Sequence, residues 1–170
     1  LYSADFTNYA GFVALNGEFK FTSEQTWNGT NYGAGAKDGL LSTDSKAGNL
    51  KVDKGFYLLR VNTSSLTWSA ALIKTFGLIG DATTGGWTTS TPMTYNAAKG
   101  TYTATVTLKD GELKFRANDA WDISMGGALD NLTFDGANIK VKAGTYKITL
   151  NLSNPSKYTC TMEKQGEAGS

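Results

Sequence analysis

Trp87, Lys114 and Trp121 are the residues whose types and spacing best suit recognition of a ligand. Trp87 follows GDATTGG, a glycine-rich turn after an apolar run, and such turns lie over the surface. Lys114 belongs to the phrase GELKFRANDAW, residues 111–121, and Trp121 closes that phrase. Strand alternation sets Lys114, Arg116 and Asn118 on one face with Glu112, and Leu113, Phe115 and Ala117 on the other. Two indole platforms beside long donors suit a sugar. The C–H face of a pyranose lies on an aromatic ring, and its hydroxyl rim takes hydrogen bonds. Ordinary structural roles stand beside this one. A tryptophan is commonly a partly buried core or edge residue, and a strand lysine is commonly just solvated. The glycine-rich turn favours ligand contact for Trp87, while for Trp121 the two roles balance.

Composition removes most other chemistry. The 170 residues include no histidine and one cysteine, Cys160, in an alternating apolar segment that reads as a buried strand. Without histidine, Ser-His-Asp and Cys-His catalysis and the common zinc sites are excluded. A glycosidase needs two carboxylates facing across a cleft, and no such pair is indicated. Asp119, Asp122, Asp130 and Asp135 are scattered at spacings that match no calcium loop. The expectation is a protein that is not an enzyme, with no cofactor and no metal. A net charge of +1 without a basic block gives no footprint for nucleic acid. No apolar run is long enough to span a bilayer as a helix.

The elements that must position these residues are strands. Glycine, threonine, serine and asparagine separate short alternating runs, and no window carries a helical apolar stripe. The segment TYTATVTLKDGELKF reads as two strands joined by a hairpin turn at Asp110-Gly111. The phrase also occurs twice. GEFKFTSEQTW, residues 17–27, shares five of eleven positions with residues 111–121, including Lys20 and Trp27. Residues 48–62 share six of fifteen with 137–151. The offsets are 94 and 89 residues, which a loop five residues longer in the first copy explains. The expected fold is all-β: two tandem antiparallel β-sandwich domains of immunoglobulin-like type, over 1–74 and 75–170. The counterpart of Trp87 would precede Leu1, so the first domain is expected to be incomplete at its N-terminal side. Trp68 reads as a strand residue packed in or near the domain junction.

GDATTGGW, GEFKFTSEQTWNGTNYG and GELKFRANDAWDISMGG resemble phrases of SusE and SusF, and the resemblance spans essentially the whole chain. These are non-catalytic lipoproteins of a bacterial starch-utilisation system. The resemblance implies the C-terminal pair of carbohydrate-binding domains from a protein held at the outer membrane by a lipid anchor. A more distant likeness is to starch- and glycogen-binding modules. These use a tryptophan after a turn, a lysine in a YKF strand, a second tryptophan seven residues on, and an asparagine in a following strand. That likeness implies Trp87, Lys114, Trp121 and Asn138 as the second domain's site, with Arg116 and Asn118 as added donors. It implies Lys20, Trp27 and Asn49 as a possible site in the first. The expected function is capture of polysaccharide, α-1,4-glucan as the type case, at the cell surface for uptake. The expected partners are a glycan and an outer-membrane transporter complex. The alternative is a structural or adhesive β-sandwich array whose exposed aromatics contact protein partners.

Overall fold

The structure, a computed structural model, describes residues 1–165 and contains strands but no helix among them. The chain divides into two compact units, Leu1–Leu72 and Ile73–Ser170. The first unit holds β1 (Asn8–Phe19), β2 (Phe21–Thr22), β3 (Asn31–Ala34), β4 (Leu41–Ser42), β5 (Leu50–Asn62) and β6 (Thr67–Leu72). One sheet has the order β1-β5-β6 and a smaller one the order β2-β3-β4, all antiparallel. Strand β1 stays paired with β5 along nearly its whole length, with a shift in register between Leu15 and Gly17. Gly17 has φ +98°, a conformation that a side chain would strain. Leu41, Leu50 and Val61 form one buried cluster here, with Tyr9, Phe19, Phe21, Tyr32 and Trp68 packed against them. Trp68 meets Phe19 edge-on at 5.7 Å, so it is a core residue of this unit.

The second unit holds β7 (Phe76–Gly80), β8 (Gly86–Pro92), β9 (Thr94–Asn96), β10 (Thr101–Leu108), β11 (Gly111–Ala117), β12 (Ser124–Ala128), β13 (Asn131–Phe134), β14 (Ile139–Val141), β15 (Gly144–Asn151) and β16 (Thr159–Lys164). One sheet has the order β16-β15-β10-β9, the other β13-β12-β11-β7-β8, with β14 also paired to β11. Strand β11 is therefore central. One edge meets β7, while the other is shared between β14 at its start and β12 at its end. The expected alternation is present: Leu113, Phe115 and Ala117 are buried. Burying a side chain the size of Leu113 or Phe115 stabilises the fold by about 1.5–3 kcal/mol.

The turn at Asp110-Gly111 is not a hairpin. β10 pairs with β9 and β15, whereas β11 belongs to the opposite sheet, so the chain turns a corner between layers. Asp110 fixes the corner by accepting the Ala143 amide at Oδ1 (2.7 Å), and Asp81 Oδ1 accepts the Glu112 amide (2.6 Å). The five extra residues of the first copy are not in one loop either. Comparison of strand pairs puts one between β2 and β3, two between β3 and β4, and two between β4 and β5.

Candidate functional site

Trp87 owes its position to the turn before it. Thr83, buried, donates its hydroxyl to the Gly80 carbonyl (2.8 Å), and the Gly86 amide reaches back to the Thr83 carbonyl (3.2 Å). Gly86 then turns through φ +60°, a value open to glycine at no steric cost. Trp87 follows as the second residue of β8 and is 38% exposed.

Trp121 is placed by a turn of a different kind. Asn118 and Asp119 both adopt left-handed φ, 57° and 53°, as asparagine and aspartate do more readily than other side-chain-bearing residues. The Ala120 amide bonds the Ala117 carbonyl (3.1 Å), and the Ala117 amide bonds the Ile123 carbonyl (2.9 Å). The loop is thereby folded back, and Trp121 covers the face of β11 that carries Lys114 and Arg116. The Lys114 Nζ lies 5.7 Å from the indole centre and the Arg116 Cζ 5.1 Å, both within cation–π range. Trp121 remains 46% exposed. Its ring centre is 6.2 Å from that of Trp87, and the two planes are inclined by 33°.

Two expected donors have other roles. Arg116 is on the face anticipated for it but is only 7% exposed, because Trp121 lies over it. Its Nε donates to Ser90 Oγ on β8 (2.7 Å), so it supports the platform from beneath. Nothing in the sequence marks Ser90 as part of the site. Asn118 lies just past the end of β11, in the turn. Its Oδ1 accepts the backbone amides of Lys74 (2.6 Å) and Thr75 (3.2 Å), which anchors the turn to the start of the unit. Asn138 is exposed in the segment entering β14. The pairing of Leu113 with Ile139, continued by one residue, sets Asn138 opposite Lys114.

The first copy is less assembled. Trp27 is 69% exposed in the loop between β2 and β3, and no ring packs on it among the described residues. Lys20 is half-buried between β1 and β2. Asn49 is exposed and donates Nδ2 to Glu18 Oε2 (3.1 Å). Continuing the Phe19–Leu50 pairing sets Asn49 opposite Lys20, as Asn138 is opposite Lys114.

The second-unit arrangement offers two inclined apolar faces, one ammonium and one amide. Three acids of this unit have structural roles: Asp81 and Asp110 hold backbone amides, and Asp135 accepts the Ser124 hydroxyl (3.2 Å). No cluster of three or more metal-ligating side chains occurs among the described residues.

Comparison with known proteins agrees. No curated protein matches the chain. The crystal structure of SusF from Bacteroides thetaiotaomicron matches with a TM-score of 0.57 at 23% identity, over 92% of this chain and 40% of that one. This likeness supports the β-sandwich fold, and the present chain spans well under half of that protein. Residues 75–161, just over half of the chain, match the family described as SusF/SusE starch specific CBMs, whose modules bind carbohydrate and are not enzymes. The chain belongs to the SusF/SusE family of starch-specific carbohydrate-binding modules.

Proposed function

We propose that the second unit binds α-1,4-glucan on Trp87 and Trp121, with Lys114 and Asn138 bonding the sugar hydroxyls and Arg116 holding Trp121 in place. The observation that carries this reading is the pair of half-exposed indoles 6.2 Å apart and inclined by 33°. Sugars stacked one on each ring are turned relative to one another. An α-1,4-linked chain curves in this way, whereas a β-1,4-linked chain is flat and ribbon-like. Each stacking contact contributes about 0.5–1.5 kcal/mol beyond its buried area, and each hydrogen bond about 0.5–1.5 kcal/mol. After the cost of association, such a site belongs in about the high micromolar to millimolar range.

Lys20, Trp27 and Asn49 form a second, weaker contact in the first unit, because no second ring backs Trp27. The family is associated with the bacterial cell surface. We place the protein there on a lipid anchor outside this sequence, beside an outer-membrane transporter, retaining glycan for uptake. Affinity electrophoresis in gels containing soluble starch tests the site. The parent chain is retarded, and Trp87→Ala and Trp121→Ala run nearly free. Equal retardation of both folded variants and the parent sinks the assignment.

A further inference from the structure

The two units share a block of four outward polar side chains. In the second, Glu112 on β11 is opposite Lys140 on β14 and Leu113 is opposite Ile139, which sets Lys114 opposite Asn138 on the next rung of the same face. In the first, Glu18 is opposite Lys51 and Phe19 is opposite Leu50, which sets Lys20 opposite Asn49. Both blocks thus read Glu–Lys beside Lys–Asn. The inward neighbours change between the units, with Phe19 and Leu50 in place of Leu113 and Ile139, while the outward four stay the same. None of them is a core residue: Asn138, Lys140, Glu18, Asn49 and Lys51 are exposed, and Glu112, Lys114 and Lys20 are half-buried.

The Lys114–Asn138 rung stands beside the rings, with Lys114 Nζ 5.7 Å from the Trp121 centre. The Glu112–Lys140 rung lies one step further along β11, and two residues of a strand advance about 6.4–6.8 Å. That step is on the scale of a sugar residue. There the surface dips into a trough of about 460 Å³, which Asp81, Asp110, Glu112, Lys140 and Lys142 line in large part. Asp81 and Asp110 each commit Oδ1 to a backbone amide, which fixes both carboxylates in place and leaves each its second oxygen. Glu112 and Lys140 face one another, yet among the described residues neither charged group holds a hydrogen bond or an ion pair. Acceptors and donors are therefore interspersed along the trough, with no aromatic side chain lining it. A sugar hydroxyl donates once and accepts twice, so neighbouring hydroxyls match a carboxylate facing an ammonium. Hydrogen bonds to charged partners are about twice as strong as neutral ones. In the first unit Asn49 Nδ2 donates to Glu18 Oε2 (3.1 Å), so groups of the two rungs come close enough to address one ligand.

We propose that the Glu112–Lys140 rung and its trough form a further subsite of the second unit, one that takes glucan by its hydroxyl edge. The rings and Lys114 hold one stretch of the chain by stacking. Glu112, Lys140 and Lys142 hold the sugars next along it through paired hydroxyls. The proposal rests on the reading of Trp87 and Trp121 as the glycan platform, and it makes affinity depend on chain length.

The test titrates the 170-residue chain with maltotriose and with maltoheptaose, following backbone amides and indole N–H signals by NMR. Maltotriose is expected to shift the Trp87 and Trp121 indoles alone. Maltoheptaose is expected to shift the amides of Glu112, Lys140 and Lys142 as well. The double variant Glu112→Ala, Lys140→Ala should unfold in urea as the parent does. It should bind maltoheptaose about three- to tenfold more weakly, the worth of about one hydrogen bond, and maltotriose as before. Indoles that shift while residues 112 and 140 stay silent at both lengths overturn the subsite and leave the platform reading standing. Indoles silent to both sugars overturn the platform reading and the subsite with it. Equal affinity of variant and parent for maltoheptaose also overturns the subsite. So do amides of Asp81, Asp110 and Glu112 that shift with calcium and not with oligosaccharide, which would make the trough a cation site.

Discussion

The guanidinium carbon of Arg116 lies 5.1 Å from the centre of the Trp121 indole, and the same side chain bonds Ser90 Oγ through Nε. A buried cation is thereby held between a ring on the loop after β11 and a hydroxyl on β8. Replacing it removes a cation–π contact of about 0.5–2 kcal/mol and leaves the Ser90 hydroxyl without this partner.

Arg116→Leu is expected to lower stability by about 1–3 kcal/mol and to weaken glucan binding although Arg116 is not itself at the binding surface. Arg116→Lys should recover part of both losses, since a lysine keeps the charge but not the planar fork. Urea unfolding and calorimetric titration with maltoheptaose read the two effects separately. Arg116→Leu with parental affinity would show that Trp121 needs no support.

Discrimination between polymers follows from the inclined rings. Soluble amylose should bind, and a flat β-1,4-glucan should bind at least about tenfold more weakly, a difference of about 1.4 kcal/mol. Lys114→Met should reduce amylose affinity by a few-fold, the worth of about one hydrogen bond. Depletion assays with the two polymers check both, and equal depletion by both would argue against the inclined-ring reading.

Asn118→Ala should destabilise the second unit by about 1–3 kcal/mol, because the Lys74 and Thr75 amides lose their acceptor and alanine must take φ 57°. Binding per folded molecule should be nearly unchanged. A folded Asn118→Ala chain that loses its affinity for glucan would return Asn118 to the binding surface.

Burial pushes the Cys160 thiol from an ordinary 9.0 up to about 12. The folded state therefore keeps the proton that the unfolded state gives up above pH 9. This contribution to stability is complete below pH 9 and is lost as the pH rises from about 9 toward 12. Cys160→Ala should flatten the alkaline decline in unfolding free energy. The native thiol should also resist maleimide at pH 8 and react once the unit unfolds, as mass spectrometry would detect.

Much of the β-architecture is legible in side-chain periodicity. Leu113, Phe115 and Ala117 alternate with Lys114 and Arg116, and each set takes the face that its chemistry dictates. Partner choice is not legible in this way. Asp110-Gly111 has the turn chemistry of a hairpin, but the same two residues also serve a corner. β10 finds its partner β15 only after the intervening strands have gone to the other sheet. The burial of Arg116 is likewise decided outside β11. It depends on Asn118 and Asp119 both turning left-handed and bringing Trp121 back over the strand. An Asn-Asp pair is a turn signal, yet what the turn covers depends on contacts that local sequence does not contain. The total of five extra residues in the first copy can be counted in the sequence, but their division among three turns follows only from strand pairing.

The link from Ser90 through Arg116 to Trp121 ties the strand that carries Trp87 to the loop that carries the other platform. If glycan docks on these rings as proposed, the shape it meets is settled when the protein folds, and little ordering is left to occur on contact. The conformational entropy lost on binding then falls mainly on the ligand. Stiffness of the polymer becomes the selecting variable: a chain already bent to the angle of the rings loses little freedom on docking, and a chain that must first bend loses more.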